Sequence, residues 1–231
     1  MRAKVLAVAA LFGLLLAAGR GTAAFAAQVG AALARIHAAT AGSGAVARTF
    51  AHDAQFHALR LEPYLLFTAA KHPEFAGKIT ALADSVARAR IALMQGDVSP
   101  KNILVGPDGP VFIDAETACY GDPAFDLAFC LNHLLLKQIW HPEHRDLYVA
   151  SFTALRDAYL KGVDWEEPEE MEARTAALLP ALLLARVDGK SPAEYLTKEE
   201  DQSFVREKAR ALLKRDGFFL QDILDYFAGS R

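Results

Sequence analysis

The chain has 231 residues, 53% hydrophobic and 23% charged, with a net charge of −3 and a pI near 6.2. That length suits one large domain or two small ones, the composition excludes a disordered chain, and the missing basic surface excludes a dedicated nucleic-acid binder. The two cysteines, Cys119 and Cys130, form no disulfide framework and have no zinc-type spacing, so reduced core thiols in a cytoplasmic protein are expected.

The N-terminus has two readings. A basic start (Met1 to Lys4), an apolar run (Val5 to Ala18) and the Ala24-Phe25-Ala26 triplet match a secretory signal peptide, and the run is too short for a confident membrane span. Against this, Phe25, Val29, Leu33 and Ile36 fall on one face of a helix running to about Ala39, with Thr22 as its N-cap. Cleavage after Ala26 would remove that helix's first turn. On this second reading residues 1–21 are an apolar segment left at the edge of a shortened domain, and 22–231 form one helical unit.

Ala41 to Ala45 reads as a loop. Short helical pieces follow from Phe50, with a helix over 62–72 that has Pro63 in its first turn. Residues 75–92 read as an amphipathic helix with Ile79, Leu82, Val86 and Ala87 inward. The period then changes. Ile103 to Val105 and Val111 to Ile113 are apolar runs around Gly106-Pro107-Asp108-Gly109-Pro110, which predicts a hairpin whose turn uses a glycine at positive φ. Asp122 before Pro123 caps a strongly apolar helix over 125–140, which carries Asn132 and the core-type His133. Further helices follow over 142–161, then from the acidic run Glu166 to Glu172 to Asp188, with a kink at Pro180, then from a Thr197/Glu200 capping box to about Lys214, and over 218–227. A short helical turn opens at Ser191-Pro192. The fold class expected is mainly α with one small β-hairpin.

The chemistry concentrates in a loop over 95–102 and the hairpin segment 103–116. Asp97 and Asn102 lie five apart on a loop stiffened by Pro100, and the hairpin fixes the separation from Asn102 to Asp114. Phosphoryl transfer asks for positioning and charge neutralisation, with a carboxylate to take the hydroxyl proton and hard oxygens for magnesium. Asp97 suits the first role, and Asn102 and Asp114 the second. Lys101 is placed to reach a transferred phosphate, or else is a solvated loop lysine. Glu116 either assists a second metal or is a surface carboxylate.

Three blocks carry a resemblance: Gly96-Asp97 and, after four intervening residues, Asn102; Ile113-Asp114 with Glu116; and Gly121-Asp122-Pro123 with Asp126-Leu127-Ala128. In this order and spacing they resemble the aminoglycoside phosphotransferase/choline kinase-like family, relatives of the protein kinases, over roughly residues 22–215. The resemblance implies the mostly helical C-terminal lobe of a kinase-like fold. It also implies transfer of the γ-phosphoryl group of ATP to a hydroxyl of a small molecule, with Mg²⁺. On matching positions it implies Asp97 as base, Asn102 and Asp114 as metal and nucleotide-side ligands, and Asp126 as a buried acceptor for the catalytic-loop backbone. Gln95 replaces the family's usual orienting histidine, and can hydrogen-bond both ways. No strand–Gly-rich turn–strand–Lys pattern precedes the loop, and Lys4 lacks that context. The sequence therefore predicts a C-terminal lobe without its N-terminal β-lobe, so that ATP binding by the chain alone is in question. A catalytically silent binding module is the alternative. Neither nucleic acid nor a membrane is expected as a partner. The acidic run 166–172 reads as a solvated helix start or an attractor for a cationic substrate. Arg186 to Pro192 reads as a helix end with a local Asp–Lys or Asp–Arg contact, or a substrate-side element.

Overall fold

The computed structural model describes residues 11–229; Met1 to Lys4 and the first six residues of the apolar run of the signal-peptide reading, Val5 to Ala10, lie outside them. Helix α1 (Phe12–Ala17) packs beside the 95–102 loop, and Phe12 and Leu16 are fully buried. Leu11 bridges to Leu104 of the hairpin. Helix α2 (Ala23–Thr40) starts where expected, with Thr22 Oγ1 accepting from the Phe25 N–H at 3.1 Å. Its inward stripe differs from expectation at one position. Val29 and Leu33 are buried, but the stripe continues at the next i+4 step to His37, leaving Ile36 37% exposed.

Helix α3 (Gly44–Thr49) takes the end of the predicted loop. The chain then runs through α4 (Asp53–Phe56), a π-helical stretch (His57–Leu66) and α5 (Phe67–Lys71) without a break. Pro63 therefore sits inside a helix and does not open one. The wider π turns accommodate a residue that donates no N–H and crowds the preceding turn. Helix α6 (Ala76–Arg88) buries Ile79, Ala83 and Val86. It stops short of Ala92, and Ala87 faces out, because the next residues are recruited by a distant partner: β1 (Ala92–Met94) pairs antiparallel with β4 (Cys119–Gly121), Leu93 opposite Tyr120.

The predicted hairpin is present as β2 (Ile103–Gly106) and β3 (Gly109–Phe112), with Ile103 opposite Phe112 and a Pro107-Asp108 turn closed by Gly109 at φ 121°. Helix α7 (Pro123–Trp140) is capped by Asp122, whose Oδ1 accepts from Ala124 N–H at 3.0 Å, and is buried from Pro123 to Ile139. It is the core element against which α8 (Arg145–Leu160) and α9 (Pro168–Asp188) pack, and α9 passes through Pro180. Ser191 to Leu196 is a turn rather than a helix. Helix α10 (Glu199–Leu213) begins without a side-chain cap, so the Thr197/Glu200 box does not form. Helix α11 (Leu220–Ala228) follows, its start held by the Phe219 N–H donating to Asp222 at 2.8 Å. The fold is mostly helical, with two small antiparallel sheets among the described residues. No helix among them is long and apolar enough to cross a membrane. Cys119 and Cys130 are buried free thiols, which burial pushes up to about 11 and about 12.

Candidate active site

Strand β1 delivers the chain to Gln95, and the hairpin delivers it back to Asp114. Between them the loop 95–102 is held by three buried or half-buried side chains. Asp126, in the first turn of α7 and fully buried, accepts from the Gln95 N–H at 2.7 Å and the Gly96 N–H at 2.8 Å. Two charge-assisted bonds to adjacent amides fix the peptide before Asp97. Asp126 lies 3.3 Å from His37 Nε2, whose Nδ1 is 2.6 Å from the Tyr159 hydroxyl. Burial first, then Asp126, holds the Tyr159 phenol well above its ordinary range, so it stays protonated. A Tyr159 O–H donating to Nδ1 and an Nε2–H donating to Asp126 satisfy all three groups.

Gly96 turns the chain at φ 80°, and a Cβ there would lie 2.6 Å from Thr117 Oγ1, so neither the conformation nor the space admits a side chain. Gln95 works in both directions. Its Oε1 accepts from the Asp97 N–H at 2.7 Å, while its Nε2 donates to the Ile113 and Asp114 carbonyls at 2.9 and 3.1 Å. It thus ties the loop to the end of the hairpin.

Asp97 is 8% exposed. Its Oδ2 receives Asn102 Nδ2 at 2.9 Å and the Arg60 guanidinium at 3.1 Å, which leaves Oδ1 for an incoming hydroxyl. Arg60 also donates from Nε to the Gly96 carbonyl at 2.6 Å. Burial pushes the Asp97 carboxyl above its ordinary value, against the lowering pull of Arg60, Lys101 and the Asn102 amide. Asn102 is buried, and its Nδ2 is taken by Asp97. Asp114 is exposed and, at φ 61°, is the one non-glycine residue among those described with positive φ. Such strain is tolerated by aspartate and concentrates at functional positions. Lys101 is exposed on the loop, near enough to act on Asp97, and Glu116 is an exposed carboxylate.

Among the described residues no three His, Cys, Asp or Glu side chains gather as a metal cluster. The residues nevertheless fit magnesium, which needs few protein oxygens when phosphates and water complete its shell. With Nδ2 committed to Asp97, Asn102 retains Oδ1 as a bare oxygen, and no hydrogen bond from the described residues restrains the Asp114 carboxylate.

Two cavities lie on this part of the fold, one at the hairpin turn and one on the loop. One of about 730 Å³ lies between the hairpin turn and the start of α2, with Arg20, Arg35, Phe25 and Gln28 on its wall. The other, of about 490 Å³, opens on Ser99, Pro100 and Lys101 and is walled by α7, the end of α9 and the 190–195 turn.

Sequence reading passed over Arg60 and His37. His37 carried a signal, since it continues the Val29, Leu33 spacing. Arg60 carried only a weak one, the helix irregularity that Pro63 implies. The acidic run is not a free negative patch at its start: Glu166 is held by Arg174 at 2.6 Å and Trp165 at 2.7 Å, and Arg174 also reaches Asp122. Asp188 pairs with Arg206 and His72, each at 2.9 Å, so the local contact to Arg186 or Lys190 does not form.

None of the curated proteins compared matches the chain. The Phosphotransferase enzyme family matches residues 15–172, more than half of the chain and all three sequence blocks, and the chain belongs to that family.

Proposed function

We propose that the chain supplies the base and metal side of an ATP-dependent phosphotransferase acting on a hydroxyl of a small molecule, in the manner of a kinase-like C-terminal lobe. One observation carries this reading: Asp97 is buried and oriented through a single oxygen by Asn102 and Arg60, with its other oxygen left for substrate. A carboxylate so placed accepts the hydroxyl proton as the oxygen attacks the terminal phosphorus, and its raised proton affinity strengthens it as a base. Gln95 and Asp126 act on the backbone around it and hold its position. Asn102 and Asp114 would hold Mg²⁺, which when bound neutralises charge on the phosphoryl oxygens. Lys101, exposed on the loop and within the field of Asp97, would offer a cation to that charge.

Calorimetric titration with MgATP tests the reading. Binding that weakens in Asn102→Ala and Asp114→Ala, with unchanged melting, is the expected result. Absence of MgATP binding by the protein would replace the enzyme with a silent binding module that keeps the same loop as scaffold.

A further inference from the structure

The smaller cavity is charged in a way that the phosphotransferase reading does not explain. Lys101, Lys137, Arg186 and Lys190 line it, against the single carboxylate Glu194. Lys190 is partly answered by Glu62 at 3.7 Å, at the exposed rim. The other cations have no carboxylate partner among the described residues.

Lys137 is the most unusual of them. It is 9% exposed on α7, and its ammonium lies over the rings of Tyr195 and Trp140 at 4.3 and 4.8 Å. Aromatic faces offset part of the cost of burying a cation, but they give its three N–H groups no oxygen to donate to. Burial lowers Lys137 to about 8. Arg186 donates to the Ser191 carbonyl at 2.5 Å and the Tyr64 hydroxyl at 3.2 Å, and its Nε is buried with no acceptor. Ser99 Oγ, on the catalytic loop itself, is buried and equally unpartnered. His133 lies within the field of Arg186, Lys137 and Lys101. Burial first, then those charges, keeps it neutral, with Nδ1 at 3.1 Å from the Tyr195 hydroxyl.

Buried donors without acceptors are costly, and these two, Arg186 Nε and Ser99 Oγ, beside the Lys137 ammonium on a cavity that opens on the loop, are what an anion would satisfy. Building on the phosphotransferase reading, we infer that the acceptor alcohol carries a negatively charged group, a phosphate ester or a carboxylate. That group seats against Arg186 and Lys137 while its hydroxyl faces Asp97. Arg186 presents a planar donor set suited to such oxygens, and Lys101 and Lys190 guard the mouth. A polycationic amino sugar would meet repulsion here instead.

The test follows the Lys137 side-chain carbon resonance in the full chain as glycerol 3-phosphate, glycerate, glycerol or glucosamine is added. The two anions separate phosphate from carboxylate as the recognised group. At least one of them is expected to shift Lys137 saturably, while glycerol and glucosamine leave it in place. Arg186→Gln and the rim change Lys190→Gln, which is 60% exposed and safe for folding, should each weaken the anion. The expected loss is roughly tenfold or more for Arg186→Gln and a few-fold for Lys190→Gln. Saturation by glycerol or glucosamine as tight as by either anion would overturn the inference, as would anion binding indifferent to both substitutions. Anion binding without MgATP binding would remove the phosphotransferase reading and leave the anion site standing. Phosphoryl transfer to glycerol or glucosamine without anion binding would do the reverse.

Discussion

Asp126→Asn probes the support of the catalytic loop apart from its chemistry. The native carboxylate gives one oxygen to the Gln95 N–H and the other to the Gly96 N–H, in a fully buried position. Asparagine keeps one acceptor and turns an NH₂ group towards the second amide. One charge-assisted bond is lost and the other loses its charge, and a buried amide is left facing a donor. At roughly 1.5–3 kcal/mol per charge-assisted bond, the variant should lose about 2–4 kcal/mol of stability. That is a large part of the roughly 5–15 kcal/mol available to a domain. Urea unfolding gives the total, and amide exchange at Gly96 locates it, since this N–H should lose protection ahead of the amides of α7. A loss below about 0.5 kcal/mol with Gly96 still protected would refute the role given to Asp126.

Gly96→Ala places a Cβ 2.6 Å from Thr117 Oγ1 and 2.7 Å from the Thr117 carbonyl oxygen at φ 80°. Backbone strain and crowding together should cost roughly 2–4 kcal/mol in denaturant unfolding. Gln95→Leu removes the acceptor for Asp97 N–H and both donations to the hairpin end. It should lower kcat more than it raises KM, and Gln95→His should recover turnover to at least the parent level. Asp97 has its carboxyl raised by burial, so kcat/KM should climb with pH through a value above the ordinary carboxylate pKa of about 3.9. The sign for stability is opposite. A raised carboxyl stabilises the fold below its unfolded value, and that contribution is lost as pH rises through the folded one. At neutral pH Asp97→Asn should therefore melt no lower than the parent in calorimetry, while losing activity.

What the sequence made legible was what short-range rules control. Asp122-Pro123 opened α7, Thr22 capped α2, and Gly109 closed the hairpin turn, each through atoms a few residues apart. The placement of Asp97, Asn102 and Asp114 around one loop and one hairpin was legible because fixed spacings along the chain set it. The pairing of β1 with β4 was not, since three-residue strands show no period and the partner lies across the catalytic loop. The π-helical run through Pro63 overrode a proline rule that holds for α-helices. Arg60 and Asp97 meet only because that run turns toward the loop, a contact spanning elements that no local pattern joins. The basic cavity needed Asp188 to pair with Arg206 and His72, which sequence proximity to Arg186 concealed.

The central claim is that Asp97 is the base for phosphoryl transfer. Transfer of labelled γ-phosphate from MgATP to an anionic alcohol, compared between the parent and Asp97→Asn, tests it most directly. The account predicts a fall of roughly 10²–10⁴-fold in the variant, with MgATP binding and melting preserved. Equal turnover by the two proteins would contradict it.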